Sequence, residues 1–122
     1  MAPGAAPRLV LRLSERYLQS DFPSTKPSNF EGETYIGMQV LFQAIRKANS
    51  ATLADLVKVM PGMEFQTILG KQLMRKEDHQ LEAPNYFGIV NVSGGKLRPV
   101  IQNTVPAAHA LPALDGSCKI PS

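Results

Sequence analysis

The stretch FEGETYIGMQVLFQAIRKANS, residues 30–50, constrains the fold of this chain more than any other segment. Tyr35, Met38, Leu41, Phe42, Ile45 and Ala48 recur at three- and four-residue spacing, which sets them along one stripe of a helix. Thr34, Gln39, Gln43, Arg46 and Lys47 fall mostly on the opposite side and read as its solvated face. Glu31 and Glu33 open the segment and Arg46 and Lys47 close it, the arrangement that the helix dipole favours. A stripe containing Met and Phe invites comparison with a cofactor box, but core packing explains it without further assumptions. Such a stripe needs an apolar surface to cover it.

The residues that follow supply one. TLADLVKVMPG reads as a second, shorter helix, with Thr52 and Asp55 as a capping pair and Leu53, Leu56, Val57 and Met60 as its buried stripe. Pro61-Gly62 stops it. EFQTIL, KQLMR and NYFGIVNV then read as strands, the first two divided at Gly70. The third is rich in Tyr, Phe, Ile and Val, ends at Ser93-Gly94-Gly95 and turns back into KLRPVIQ. Upstream, Leu9, Leu13, Tyr17 and Leu18 predict a helix within residues 9–22, broken by DFPSTKPSN. Ten prolines and nine glycines in 122 residues gather towards the two ends, so loose termini are expected around an ordered centre. The length suits one modest domain. With 7% aromatic residues and no Trp, its core must rest on Leu, Ile, Val and Met.

Several classes of function find no support. The net charge is +3, but the basic residues are scattered among acids, Arg12 and Arg16 around Glu15 and Arg75 and Lys76 before Glu77 and Asp78. A nucleic-acid-binding face would cluster them, so no nucleic-acid partner is expected. The lone Cys118 and two distant histidines give no metal-ligand spacing, and no cofactor is implied. No apolar run approaches the roughly 20 residues of a membrane span, and Arg12 interrupts the apolar patch of the opening segment, which makes a poor signal peptide. His79 stands in MRKEDHQ beside Asp78 and Glu77, where adjacent turn residues seldom face one another as base and orienting group require. SGGK lacks the frame of a phosphate loop and follows a strand without opening a helix. No catalytic residue emerges, and an enzyme is not expected. The charged run at residues 75–79 reads as a turn between strands, with polar side chains that satisfy it and charges that solvate a surface.

The succession Tyr35, QAIRKANS, LADLVKVMPG, EFQTILGKQLMRKEDHQ and NYFGIV resembles the C-terminal part of the ABC-transporter solute-binding proteins for branched-chain amino acids and related amides, the leucine-binding family. The tail, with TVP at residues 104–106 and CK at 118–119, is similar to the way several members close. The likeness covers about residues 16–119, is most specific over 65–90, and does not extend to MAPGAAPRLVLRLS. It implies an α/β chain forming part of one lobe of a periplasmic-binding-protein-like I fold, with two to three helices packed on a few strands. The expected organisation is an unassigned leader at 1–15, a partial leucine-binding-protein-like domain at 16–104 and a tail at 105–122 that drapes over the surface or stays loose.

In that family two lobes close on a small ligand by hinge motion, and most of the clamp for the amino-acid carboxylate and ammonium lies upstream of the region matched. The resemblance implies a non-catalytic part of a solute-binding protein, a small amino acid or amide as ligand once the missing lobe is supplied, an ABC permease as partner, and a periplasmic or extracellular location. The family position before the long helix often touches the ligand side chain. It falls on Phe30, with Glu31 next to it, and these two are the implied ligand-binding residues. From the residues alone, Phe30 reads equally well as a hydrophobic staple for the helix start. Two other functions remain open: a small-molecule sensor of the same fold and a standalone protein-interaction module.

Overall fold

Ser28 and Glu31 together set the start of the long helix. The Glu31 carboxylate accepts the Ser28 backbone N–H at 2.8 Å and also the Ser28 hydroxyl, so the acid three residues into the helix satisfies a backbone donor before it. In the computed structural model, which describes residues 16, 28–114 and 116–118, helix α1 spans Asn29–Ala48. It closes at Asn49, whose φ of 50° is the left-handed conformation that Asn tolerates at a helix end. The helix predicted over residues 9–22 and the leader at 1–15 lie outside the described residues, apart from Arg16.

Helix α2, Leu53–Val59, begins as the sequence predicts. Thr52 Oγ1 accepts the Asp55 N–H at 3.4 Å and donates to Asp55 Oδ2 at 2.7 Å. Strands β1, Glu64–Thr67, and β2, Gly70–Leu73, then form an antiparallel hairpin around Ile68-Leu69. Backbone bonds from Gly62 N–H to the Met74 carbonyl and from Met74 N–H to the Met63 carbonyl continue this pairing beyond the strands.

Val40 and Ala44 from α1, Leu56 from α2, Phe65 from β1 and Met74 make the core. Phe65 is its fully buried centre, and Met60 and Met63 pack against the cluster beside Ile36, Leu41, Ile45 and Leu81. Thr67 and Gln72 are buried as well, and each is satisfied: Thr67 Oγ1 donates to Gln72 Oε1 at 2.6 Å, and Gln72 Nε2 donates to the Glu82 carbonyl at 3.2 Å.

The buried face of α1 is only in part the one its apolar spacing predicts: Leu41, Ile45 and Ala48 pack against the core, but the rest of the stripe does not. Tyr35, Met38 and Phe42 are 38%, 43% and 55% exposed, and the face turned inward contains Gln39 and Gln43. The cause is the open edge of β1. Gln43 Nε2 donates to the Gln66 carbonyl at 2.8 Å while its Oε1 accepts the Gln66 N–H at 2.9 Å. Gln39 Oε1 accepts the Ile68 N–H at 3.0 Å. An edge strand must place its peptide groups somewhere, and a side-chain amide does for them what Met or Phe cannot. On α2 the same correction applies: Leu56 is buried, whereas Leu53 and Val57 are exposed.

Strands β3, Asn85–Ser93, and β4, Lys96–Val105, form a second antiparallel hairpin, registered from Ser93 opposite Lys96 to Asn85 opposite Val105. Gly94 and Gly95 both have positive φ, 59° and 71°, the two-residue turn whose twist suits a hairpin. A register shift at Phe87/Gly88 makes Phe87 face Asn103 and Gly88 face Ile101, so Gln102 has no opposite residue. Every residue of β3 is exposed. The two hairpins are separate sheets, and only the first contributes to the core. The arrangement is α/β, with helices laid against strands. The tail opens with a single-turn helix α3, Ala107–Ala110.

Candidate functional site

The first turns of α1 face the base of the β3–β4 hairpin across an open groove of about 570 Å3. Ser28, Asn29, Gly32, Glu33 and Ile36 line one wall, at the three- and four-residue spacing of one helix face. Ile68 and Leu69, from the β1–β2 turn, form the floor. Tyr86, Phe87, Ile89 and Val100 are prominent on the opposite wall, with Asn85 at its end. The groove is thus mainly apolar with a few amide and carboxylate groups near the helix start, a composition that suits a small organic molecule.

Phe30 and Glu31 lie on the same turn of α1 but outside the lining of this groove. Phe30 is the second residue of the helix and is 80% exposed. A staple residue precedes the cap and packs forward onto the helix. Phe30 does neither, so the staple reading is wrong. Glu31 is engaged in the cap with Ser28. Of the wall residues, Asn29 and Ile36 were not singled out from sequence, and Glu33 was read only as an acid at the helix start. Their common spacing was there to be found, but the eye follows the stronger stripe at Tyr35, Met38 and Phe42.

The 75–79 segment is a turn, as predicted. His79 N–H bonds the Arg75 carbonyl, Arg75 N–H bonds the Gln80 carbonyl, and His79 takes a φ of 57°. Its charges are not all solvated, however. Arg75 Nε donates to Asp78 Oδ1 at 2.9 Å and Nη2 to Oδ2, with the two side chains 17% and 6% exposed. Arg75 Nη1 also donates to the Pro112 carbonyl at 2.9 Å, which ties the tail to the turn. Hydrogen bonding from Arg75 holds the Asp78 carboxyl below its ordinary range, and the same bond raises the Arg75 guanidinium. Between turn and tail lies a second hollow of about 410 Å3. Among the described residues no helix is long and apolar enough to cross a membrane.

Residues 3–96 match a family described as periplasmic binding protein. Among solved structures, an ABC-type branched-chain amino acid transporter from Rhodopseudomonas palustris CGA009 is similar with a TM-score of 0.71 at 23% identity, over 88% of this chain and 28% of its own. A solute binding protein of an ABC transporter from Rhodopseudomonas palustris BisB5, in complex with 3,4-dihydroxybenzoic acid, gives 0.69 at 21% identity, over 86% and 28%. An ABC transporter from Rhodopseudomonas palustris gives 0.52 at 28% identity, over 75% and 26%. No curated protein matches. The chain therefore has the fold of part of these structures and spans under a third of the length of each.

Proposed function

Because this chain belongs to the periplasmic binding protein family, we propose that it acts as part of a solute-binding protein of an ABC-type uptake system. The family match over residues 3–96 carries this reading. The ligand is a small amino acid of branched-chain type or a related amide, captured without chemical change between two lobes and delivered to a permease outside the cytoplasm. Phe30, exposed at the start of α1, serves as an apolar wall for the ligand side chain, with Glu31 as the neighbouring acid. Other small carboxylates are included in the proposed ligand class, because one of the similar solved structures is a branched-chain amino acid transporter and another holds an aromatic acid.

A cleft between two lobes cannot be built by part of one, so the chain alone has negligible affinity for such ligands. Calorimetric titration with leucine, isoleucine, valine and 3,4-dihydroxybenzoate is expected to be flat. Binding tighter than about 10 μM, roughly −7 kcal/mol, would show that this chain holds a complete site and overturn the partial-lobe reading. Translating the coding DNA upstream of Met1 in all frames tests the same point. Sequence for the rest of a two-lobed protein is expected, and unrelated sequence would count against it.

A further inference from the structure

Burial along the second half of the chain marks off the β3–β4 hairpin as a separate piece. Residues 81–84 are half-buried, residues 85–104 are all exposed, and Val105, Ala107, Ala110 and Leu111 are half-buried again. The hairpin contributes no residue to the core cluster, so apolar burial does not fix its position on the body. Polar ties stand at both of its ends instead, and both start from β2 and the residues that continue it. On the near side, Gln72 Nε2 donates to the Glu82 carbonyl at 3.2 Å, and the Glu82 N–H bonds the Leu73 carbonyl at 2.8 Å. On the far side, Arg75 Nη1 donates to the Pro112 carbonyl at 2.9 Å.

The two ties differ in kind. Gln72 is 2% exposed and its oxygen accepts from the buried Thr67, so the near tie cannot open without leaving a buried amide unpaired. The bond to Pro112 is open to solvent, where water can replace either partner. Its geometry is nonetheless set in advance. Asp78 occupies Nε and Nη2 of the planar guanidinium, which leaves Nη1 for the tail. The Gln80 N–H in turn donates to Asp78 Oδ1 at 3.2 Å. Between the tied residue Glu82 and the first residue of β3 lie only Ala83 and Pro84, and a hinge needs no more than a few residues at the end of an element.

We propose that the β3–β4 hairpin is a hinged arm, pivoting at Ala83-Pro84 and latched at its far end by Arg75 on Pro112. Its own ladder of paired residues, unbroken from Ser93 and Lys96 to the shift at Phe87/Gly88, lets it move as one piece. With the latch closed, the hairpin wall of the groove keeps its distance from the first turns of α1. With the latch open, hairpin and tail swing together and the groove widens. Asp78 is a positioning residue in this device, acting through Arg75. Both ties lie within this chain, and the motion does not depend on what the groove holds.

Pulsed electron spin resonance on the 122-residue chain reads the arm directly. Nitroxide labels are placed at Leu53→Cys on α2 and Leu97→Cys on β4, both exposed positions, in a Cys118→Ser background. A single narrow distance is expected. Arg75→Ala and Asp78→Asn should each broaden the distribution about twofold or more, whereas Lys76→Ala, next in the chain but outside the latch, should leave it unchanged. Arg75→Lys keeps the charge beside Asp78 but not the planar fork, and should broaden it as well. Slow amide exchange at Gln66 and Met74 checks that each variant keeps its core, and Arg75→Lys stands in for any variant that does not. A distance already broad in the parent, no change on losing Arg75, or equal broadening by Lys76→Ala would each overturn the proposal.

Discussion

At Gly88 the hairpin leaves no room for a side chain. A Cβ there would stand 2.1 Å from the Val100 carbonyl oxygen, a backbone atom that cannot swing aside. Gly88→Ala is expected to destabilise the protein by about 1–3 kcal/mol, read as a lower urea midpoint. Gly37, within α1, has nothing within 4 Å of the same position. Gly37→Ala should stabilise by about 0.5–1 kcal/mol, so two substitutions of one kind move the midpoint in opposite directions. At Asp78 the consequence is one of pH. Its carboxyl titrates below the ordinary range in the folded chain because Arg75 hydrogen-bonds it. The stabilisation it brings is therefore present above the unfolded carboxyl pKa, about 4, and is lost as pH falls further through the folded value. Urea midpoints from neutral to acid pH should show this loss, and Asp78→Asn should be destabilised at neutral pH and lose less on acidification. The sequence displayed the turn here but not the clamp, because the partner of Arg75 at Pro112 is 37 residues away. Phe30 and Glu31 stand on a resemblance, which chemistry at a helix start alone would not have selected.

Elements were legible where local rules decide them. The 3.6-residue period, the Thr52 cap, Pro61-Gly62 and Ser93-Gly94-Gly95 place two helices and the second hairpin turn without reference to the rest of the chain. The orientation of α1 was legible only in part, because it also answers a need of β1. A glutamine reads as solvated until an unpaired strand edge lies beside it. Gln43→Ala should cost about 1 kcal/mol or somewhat more and speed amide exchange at Gln66. Gln39→Ala should do the same at Ile68. Unchanged exchange at these two amides would mean that the glutamines merely lie along the edge.

For the molecule as a whole, the family was legible because its motifs run through the ordered centre, whereas the ligand was not, since the chain spans under a third of the structures it resembles. Tyr35, Met38 and Phe42 on α1, Leu53 and Val57 on α2, and the apolar residues of the hairpin other than Val105 stand exposed. So much uncovered apolar surface favours association, and the thermal midpoint is expected to rise with protein concentration. A sharp midpoint independent of concentration would speak against that. The residues around Phe65 have a further consequence. Met60, Met63 and Met74 lie in and around a core in which, among the described residues, Phe65 is the one buried aromatic ring, and thioether sulfur is the part of such a core that peroxide can attack. Met38, already exposed, can become a sulfoxide at little structural cost, whereas the same oxygen atom on Met74 would place a polar group inside the core. Oxidative damage would therefore pass unnoticed at the first methionine and undo the fold at the later ones.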